Sequence, residues 1–245
     1  MSYFLAPAIL RSGMEIALSA EEAAHLSQSR RLQPGESCFV QGTDEKRFRA
    51  QVIRVGPRTA TVLIQEAVDT PPEPKRDLIL FLALTKEKAL DAVLQKATEL
   101  GVTRVIIWNS ERTPERLPSR ALGRVARWQK ITSEAAKQSG RVHGAEVVFL
   151  AERELLTGHL AAISTRYLLA SDSRTSLAQE LDNQATKSTS IAIIVGPEGG
   201  LNEEEVQWFI GQGALPVSVG PRTLRAETAA IAAAALAQAW CGDLA

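Results

Sequence analysis

Gly196-Pro197-Glu198-Gly199-Gly200 and Val219-Gly220-Pro221-Arg222-Thr223-Leu224-Arg225-Ala226-Glu227-Thr228 are the two stretches from which the fold of this chain is read. Each follows a short apolar run, residues 191–195 and 215–219, and each leads into residues of helical periodicity, so each reads as strand, turn and helix. Glycine at such a turn permits positive φ and close approach of a ligand to the backbone. The free N–H groups of the helix that follows favour anions or hydrogen-bond acceptors. One such turn is ordinary punctuation of a strand end. Two of them about twenty residues apart, the second followed by Arg225 and Glu227, point to a ligand site, because open α/β sheets bind ligands outside the carboxyl ends of their strands.

Working back from these turns, the alternation of strand and helix extends to Asp77. Residues 78–84 form a continuous apolar run suited to a strand buried on both faces. Residues 87–100 carry Ala89, Leu90, Val93, Leu94, Ala97 and Leu100 at helical spacing, with Gly101 as the stop. Strands over 102–108, 146–150, 167–170, 191–195 and 215–219 alternate with helices over 119–139, 154–163, 176–181, the segment opened by Asn202 as N-cap, and 225–240. The fold class is therefore α/β with a parallel sheet. Residues 3–5, 15–18, 37–41, 48–55 and 61–67 instead read as short strands separated by Gly13, Pro34-Gly35, Gly42 and Gly56-Pro57. Ser19-Ala20-Glu21-Glu22 is a capping box opening one short helix towards Arg30 and Arg31. Domain boundaries follow: a small β-barrel over 1–70, a proline-rich linker over 71–76, and the α/β domain over 77–245.

The 28 basic and 28 acidic residues cancel, which argues against indiscriminate polyanion binding. The distribution is uneven, with nine basic against three acidic side chains between Arg104 and Arg141, so one region can hold a phosphate backbone while the whole stays neutral. Within it Arg120, Arg124 and Arg127 share one helical face, a pattern that is ordinarily a solvated surface. Cys38 and Cys241 lie at opposite ends without a CxxC partner, so no disulfide framework or zinc knuckle is expected, and a cytoplasmic setting fits. His25, His143 and His159 have no ligand spacing, and no metal is assigned. No apolar stretch is long enough for a membrane span.

Neither the dinucleotide fingerprint G-x-G-x-x-G nor the P-loop is present, and the first strand of the α/β part ends in Thr85-Lys86-Glu87-Lys88 with no glycine to admit a pyrophosphate. A nucleoside-like ligand held by backbone groups stays open on this reading. The C-terminal two-thirds resembles the SPOUT class of RNA methyltransferases, and specifically the bacterial 16S rRNA uridine-N3 methyltransferases. The resemblance rests on residues 94–102 (Leu-Gln-Lys-Ala-Thr-Glu-Leu-Gly-Val), Arg127-Trp128-Gln129-Lys130-Ile131 with residues 134–139 and Arg141, Gly196 to Leu201, and the second glycine turn through Ala229. The chain departs from that pattern at Val219, at Thr223 and in Thr113-Pro114-Glu115-Arg116.

The resemblance implies a PUA-like RNA-binding barrel, and a deep trefoil knot that binds S-adenosylmethionine across a homodimer interface formed by the C-terminal domain. It implies 16S rRNA or the assembled small ribosomal subunit as substrate. Leu169, Ala170, Gly196, Pro197, Glu198, Gly199, Gly200, Val219, Gly220 and Leu224 would surround the cofactor. Arg225 is the candidate for electrostatic stabilisation of the uracil oxygens, and Glu227 or Glu198 for accepting the N3 proton, although either carboxylate also suits a helix cap. Arg30, Arg31, Lys86 and Arg112 are the candidate RNA contacts. Two other readings stay open on the sequence: a non-catalytic rRNA-binding or ribosome-assembly factor on the same scaffold, and a metabolic α/β enzyme acting on a small nucleotide.

Overall fold

The apolar runs of the second part of the chain form six parallel strands: β6 (Asp77–Ala83), β7 (Arg104–Trp108), β8 (Glu146–Leu150), β9 (Thr165–Leu169), β10 (Ser190–Val195) and β11 (Leu215–Val217), in the order β11-β9-β10-β6-β7-β8. The computed structural model describes residues 3–70, 73–113, 115–118, 121–184, 188–241 and 244. Alternate side chains of each strand point to opposite faces, and both faces are covered. On one side Leu78, Leu80, Leu82, Val105, Ile107, Ile191 and Ile193 pack under α2 (Glu87–Glu99) and α7 (Ala226–Cys241), through Leu90, Val93, Leu94, Ala230, Ala233 and Ala237. The small alanines of α7 let it lie close to the sheet and to α2. On the other side Ile79, Phe81, Ile106, Trp108, Ala192 and Ile194 pack under α4 (Leu156–Ala161) and α6 (Glu203–Gly211), through Leu160 and Phe209. α3 (Leu122–Ser139) contributes Trp128 to the first face, and α5 (Leu177–Gln184) contributes Leu177 and Leu181.

The strand order positions the site. From β6 the chain moves outward through β7 to β8, then crosses to β9, inserts β10 between β9 and β6, and ends at β11 outside β9. Ile193 stands beside both Leu80 and Tyr167. Connections therefore leave β6 and β10 in opposite directions, and the ends of β9, β10 and β11 lie side by side.

The first part of the chain forms β1 (Phe4–Leu5), β2 (Glu15–Ala17), β3 (Ser37–Gln41), β4 (Arg47–Val55) and β5 (Ala60–Val68) in the order β1-β3-β4-β5-β2. The sheet is mixed, because β1 runs parallel to β3. Register shifts between β4 and β5 at Phe48/Ala50 and Val52/Arg54 curl it into a barrel-like shape around Val40, Ala50, Val52, Val62 and Ile64. Into this core α1 (Ala20–Ala24) and the π-helical turn after it place Ala23 and Leu26. Only half of the capping box read from the sequence forms. Ser19 Oγ accepts from the Glu22 N–H at 3.2 Å, but the Glu22 carboxylate turns to the Lys137 ammonium, with both groups buried. A buried carboxylate gains more from an ammonium than from a backbone amide that water already serves.

Compactness divides the chain into Met1–Pro72 with Ala136–Val142, and Glu73–Ala135 with His143–Ala245. The end of α3 thus groups with the first unit, where Tyr3 Oη donates to the Arg141 carbonyl at 2.6 Å and Arg47 Nη2 donates to the Gly140 carbonyl at 3.1 Å.

Candidate functional site

The ends of β9, β10 and β11 enclose a crevice of about 450 Å³, a size usual for a small-molecule site. From β9 come Leu169, Ala170, Ser171 and Asp172; from β10, Val195 to Leu201; from β11, Val217 to Gly220 with Arg222, Thr223 and Leu224. Ala226 and Ala229 of α7 and Val206 of α6 complete the wall. The β9 loop is fixed against β11: the Ala170 N–H donates to the Val217 carbonyl at 2.9 Å, and the Ser173 hydroxyl donates to the Pro216 carbonyl at 2.9 Å.

Glycine is required at two points in the central turn. A Cβ on residue 196 would stand 2.9 Å from Leu201 Cγ and 3.2 Å from the Leu201 backbone nitrogen. Gly200 has φ 69°, and its N–H closes the turn on the Pro197 carbonyl at 2.9 Å. Asn202 then caps α6, with a capping box to Glu205. Apolar and polar surface share the crevice walls in similar measure, with Asp172, Glu198 and Arg222 as the charged members.

All ten residues expected from the sequence to surround a cofactor line this crevice. The three catalytic candidates are placed differently. Glu198 lines it, and Glu198 Oε1 accepts the Lys86 N–H at the start of α2 at 3.2 Å. Arg225 and Glu227 do not line it; they flank Ala226, which does. Arg225 is exposed, and neither side chain has a hydrogen bond or ion pair among the described residues. Of the expected RNA contacts, Arg30 and Arg31 are exposed on the first unit and Lys86 is exposed beside the Glu198 carboxylate. Arg112 reaches across from the loop after β7 and donates from Nη1 to the Gly199 carbonyl at 3.0 Å.

Among the lining residues that the sequence reading missed are Ser171, Asp172 and Val206. The first two had a signal, since they are polar residues that directly follow the apolar β9. Val206 had none, because helical spacing does not say which apolar side chain faces a cavity rather than the core. Arg124 and Arg127 are occupied elsewhere: Arg127 holds Asp91 of α2 with two hydrogen bonds of 2.8 and 2.6 Å, and Arg124 lies 3.7 Å from Glu87. Arg120 and Pro114 lie outside the described residues. Among the described residues no three His, Cys, Asp or Glu side chains gather as a metal would need, and no helix is long and apolar enough to cross a membrane.

Residues 71–238 match the model of a family described as an RNA methyltransferase domain. A ribosomal RNA small subunit methyltransferase E from Synechocystis is 30% identical over 215 residues, covering 87% of this chain and 69% of that protein. Among solved structures, a methyltransferase from Legionella pneumophila in complex with the cofactor SAM has TM-score 0.86 at 27% identity, over 98% of this chain and 97% of that one. A ribosomal RNA small subunit methyltransferase E from Neisseria gonorrhoeae bound to S-adenosyl methionine has TM-score 0.82 at 28% identity, with the same coverage of both chains.

Proposed function

Since the chain belongs to the RNA methyltransferase family and, within it, to the ribosomal RNA small subunit methyltransferase E group, we propose that it methylates N3 of one uridine of 16S rRNA from S-adenosylmethionine. The observation that carries this reading is the crevice at the ends of β9, β10 and β11, walled by backbone and by both apolar and polar side chains, with Asp172, Glu198 and Arg222 as its charged members. That donor set suits a ligand bearing a sulfonium, an ammonium and one carboxylate better than it suits a polyphosphate, which needs a basic cradle. Leu169, Ala170, Gly196 to Gly200, Val219, Gly220 and Leu224 are the residues to hold it. When bound, S-adenosylmethionine supplies an electrophilic methyl group.

Uridine N3 carries a proton, so the protein must remove that proton and stabilise the negative charge that spreads to the ring oxygens. Stabilising that charge falls to Arg225, whose guanidinium is exposed, unpaired among the described residues and adjacent to Ala226 of the crevice wall. The proton acceptor is Glu227 or Glu198: Glu198 lines the crevice, with one of its two oxygens accepting the Lys86 amide, and Glu227 follows Ala226 of the wall. Arg30, Arg31 and Lys86 supply phosphate contacts, the first pair from a barrel that reads as PUA-like.

The same reading includes a trefoil knot and a homodimer. Insertion of β10 between β6 and β9, with the 218–224 segment returning to the crevice beside the 196–200 turn, supports the knot. Exposed Ile210 and Leu215, the latter on edge strand β11, support association through the C-terminal domain.

Mass spectrometry of rRNA nucleosides from cells with and without this protein tests the reading, with loss of one N3-methylated uridine expected. Arg225→Ala should abolish transfer while S-adenosylmethionine affinity stays within about threefold, under 1 kcal/mol. rRNA binding without any calorimetric response to S-adenosylmethionine would instead make the chain a non-catalytic rRNA-binding factor.

A further inference from the structure

Two side chains outside the crevice hydrogen-bond to the segment that forms one of its walls. Glu205 is 1% exposed, and both carboxylate oxygens accept backbone amides from different segments: Oε2 takes the Asn202 N–H at 2.9 Å, and Oε1 takes the Glu111 N–H at 2.9 Å. The first amide belongs to the chain that leaves the 196–200 turn, and the second to the loop after β7. That loop is itself closed by the Ser110 N–H on Thr113 Oγ1 at 2.9 Å and the Arg112 N–H on Ser110 Oγ at 3.2 Å. From it Arg112 returns to the turn, donating Nη1 to the Gly199 carbonyl at 3.0 Å and approaching the Leu201 carbonyl at 3.5 Å. Glu205, the 110–113 loop, Arg112 and residues 199–202 thus form a closed ring of hydrogen bonds. A Cβ added at Gly199 would meet Arg112 Cβ at 3.5 Å, an ordinary van der Waals contact, so the Arg112 stem lies directly against this residue.

We propose that Arg112 and Glu205 are positioning residues for the transfer, bracing the 196–200 turn from outside so that its amides and carbonyls keep their place in the crevice wall. This gives Arg112 a role other than RNA contact. A guanidinium serves it better than an ammonium, because Nη1, which faces both carbonyls, is held on a planar, pre-organised group that loses less freedom per hydrogen bond formed. Glu205 suits the brace because two acceptor oxygens are needed on a rigid helix start. An amide in its place would aim an N–H at one of the two backbone N–H groups.

The inference rests on the assignment of S-adenosylmethionine to this crevice, and the experiment separates the two. Arg112→Ala, Arg112→Lys and Glu205→Gln are compared with the unmodified chain by calorimetry with S-adenosylmethionine, by rRNA binding, and by amide hydrogen exchange across residues 196–202 with no ligand present. Arg112 is exposed, so Arg112→Ala keeps the fold even where Glu205→Gln lowers stability. Expected are a weakening of cofactor binding by about tenfold, the factor carried by one charge-assisted hydrogen bond, a matching rise in the cofactor KM with kcat at saturation within about threefold, unchanged rRNA affinity, and exchange across 199–202 faster by a similar factor. Arg112→Lys should recover little of this. Unchanged exchange in Arg112→Ala overturns the brace whatever the ligand. So does an rRNA-affinity loss that Lys restores while cofactor binding stays intact, which would make Arg112 a phosphate contact. Absence of any heat with the unmodified chain, alongside faster exchange in the variants, leaves the brace standing and removes the cofactor assignment.

Discussion

Gly196→Ala tests the central turn most directly, and its effect can be worked from distances. Carbon atoms in contact sit at about 3.5–4.0 Å, whereas the added methyl would stand 2.9 Å from Leu201 Cγ and 3.3 Å from Leu201 Cδ2. The side chain of Leu201 must retreat, yet it packs against the core beneath α6. The main chain has little freedom either: the Leu201 nitrogen is 3.2 Å from the added atom, and the Gly200 N–H is committed to the Pro197 carbonyl. Overpacking of this kind costs about 1–3 kcal/mol. Because the turn lines the crevice, most of that cost should appear in ligand binding, as a loss of roughly tenfold to a hundredfold in S-adenosylmethionine affinity. Pairing the change with Leu201→Ala removes two of the three close contacts and should restore about half of the loss on a logarithmic scale, with Leu201→Ala alone as the control. Titration calorimetry reads the affinity, and thermal denaturation confirms that each variant is folded. Unchanged affinity in Gly196→Ala, or a double variant no better than the two single losses combined, would refute this account of the turn.

Lys137→Met should destabilise the protein by about 3–5 kcal/mol in urea, because it leaves the Glu22 carboxylate buried without its ammonium; combining it with Glu22→Gln should recover more than half, and simple additivity would deny the coupling. Burial pushes the Cys38 thiol from 9.0 up to about 12. Since the folded value is raised, the stability tied to the neutral thiol is complete below about pH 9 and is lost as pH rises through about 12. In Cys241→Ser, urea titrations should therefore show stability falling across that window relative to Cys38→Ala, and alkylation of Cys38 at pH 8 should proceed only on unfolding; fast labelling of the folded chain would contradict the burial. Arg127→Ala, which removes an exposed pair with Asp91, should cost less than about 1 kcal/mol and leave the salt dependence of rRNA binding unchanged. A slope smaller by about one phosphate would instead place Arg127 on the RNA.

Much of the second unit was legible because its signals are local. Leu90, Val93, Leu94 and Ala97 are all buried where the helical spacing puts them, and Gly101, at φ 87°, ends the helix as glycine does. Apolar runs such as Leu78-Ile79-Leu80-Phe81-Leu82 announce a strand buried on both faces for the same reason, and the structure buries every one of them. The order of those strands was not legible, since uniformly apolar parallel strands carry no mark of their neighbours. Charged residues proved hardest to assign. Glu22 read as a local cap and found an ammonium 115 positions away; Arg112 read as an RNA contact and holds a carbonyl 87 positions away; Arg127 read as part of a basic face and holds Asp91. A long flexible charged side chain chooses its partner from whatever the fold brings within reach, and spacing along the chain says little about that.

By itself the sequence determined the element types, the parallel α/β character of residues 77–240 and the two glycine turns that follow β10 and β11, because hydrophobic period, glycine freedom and helix capping act within a few residues. The tertiary structure alone decided that β10 lies between β6 and β9, that the loops after β9, β10 and β11 share one crevice, and that Glu205 and Arg112 brace its middle turn. These are contacts between segments far apart in the chain, and they exist only once strand pairing has closed the loops that separate them.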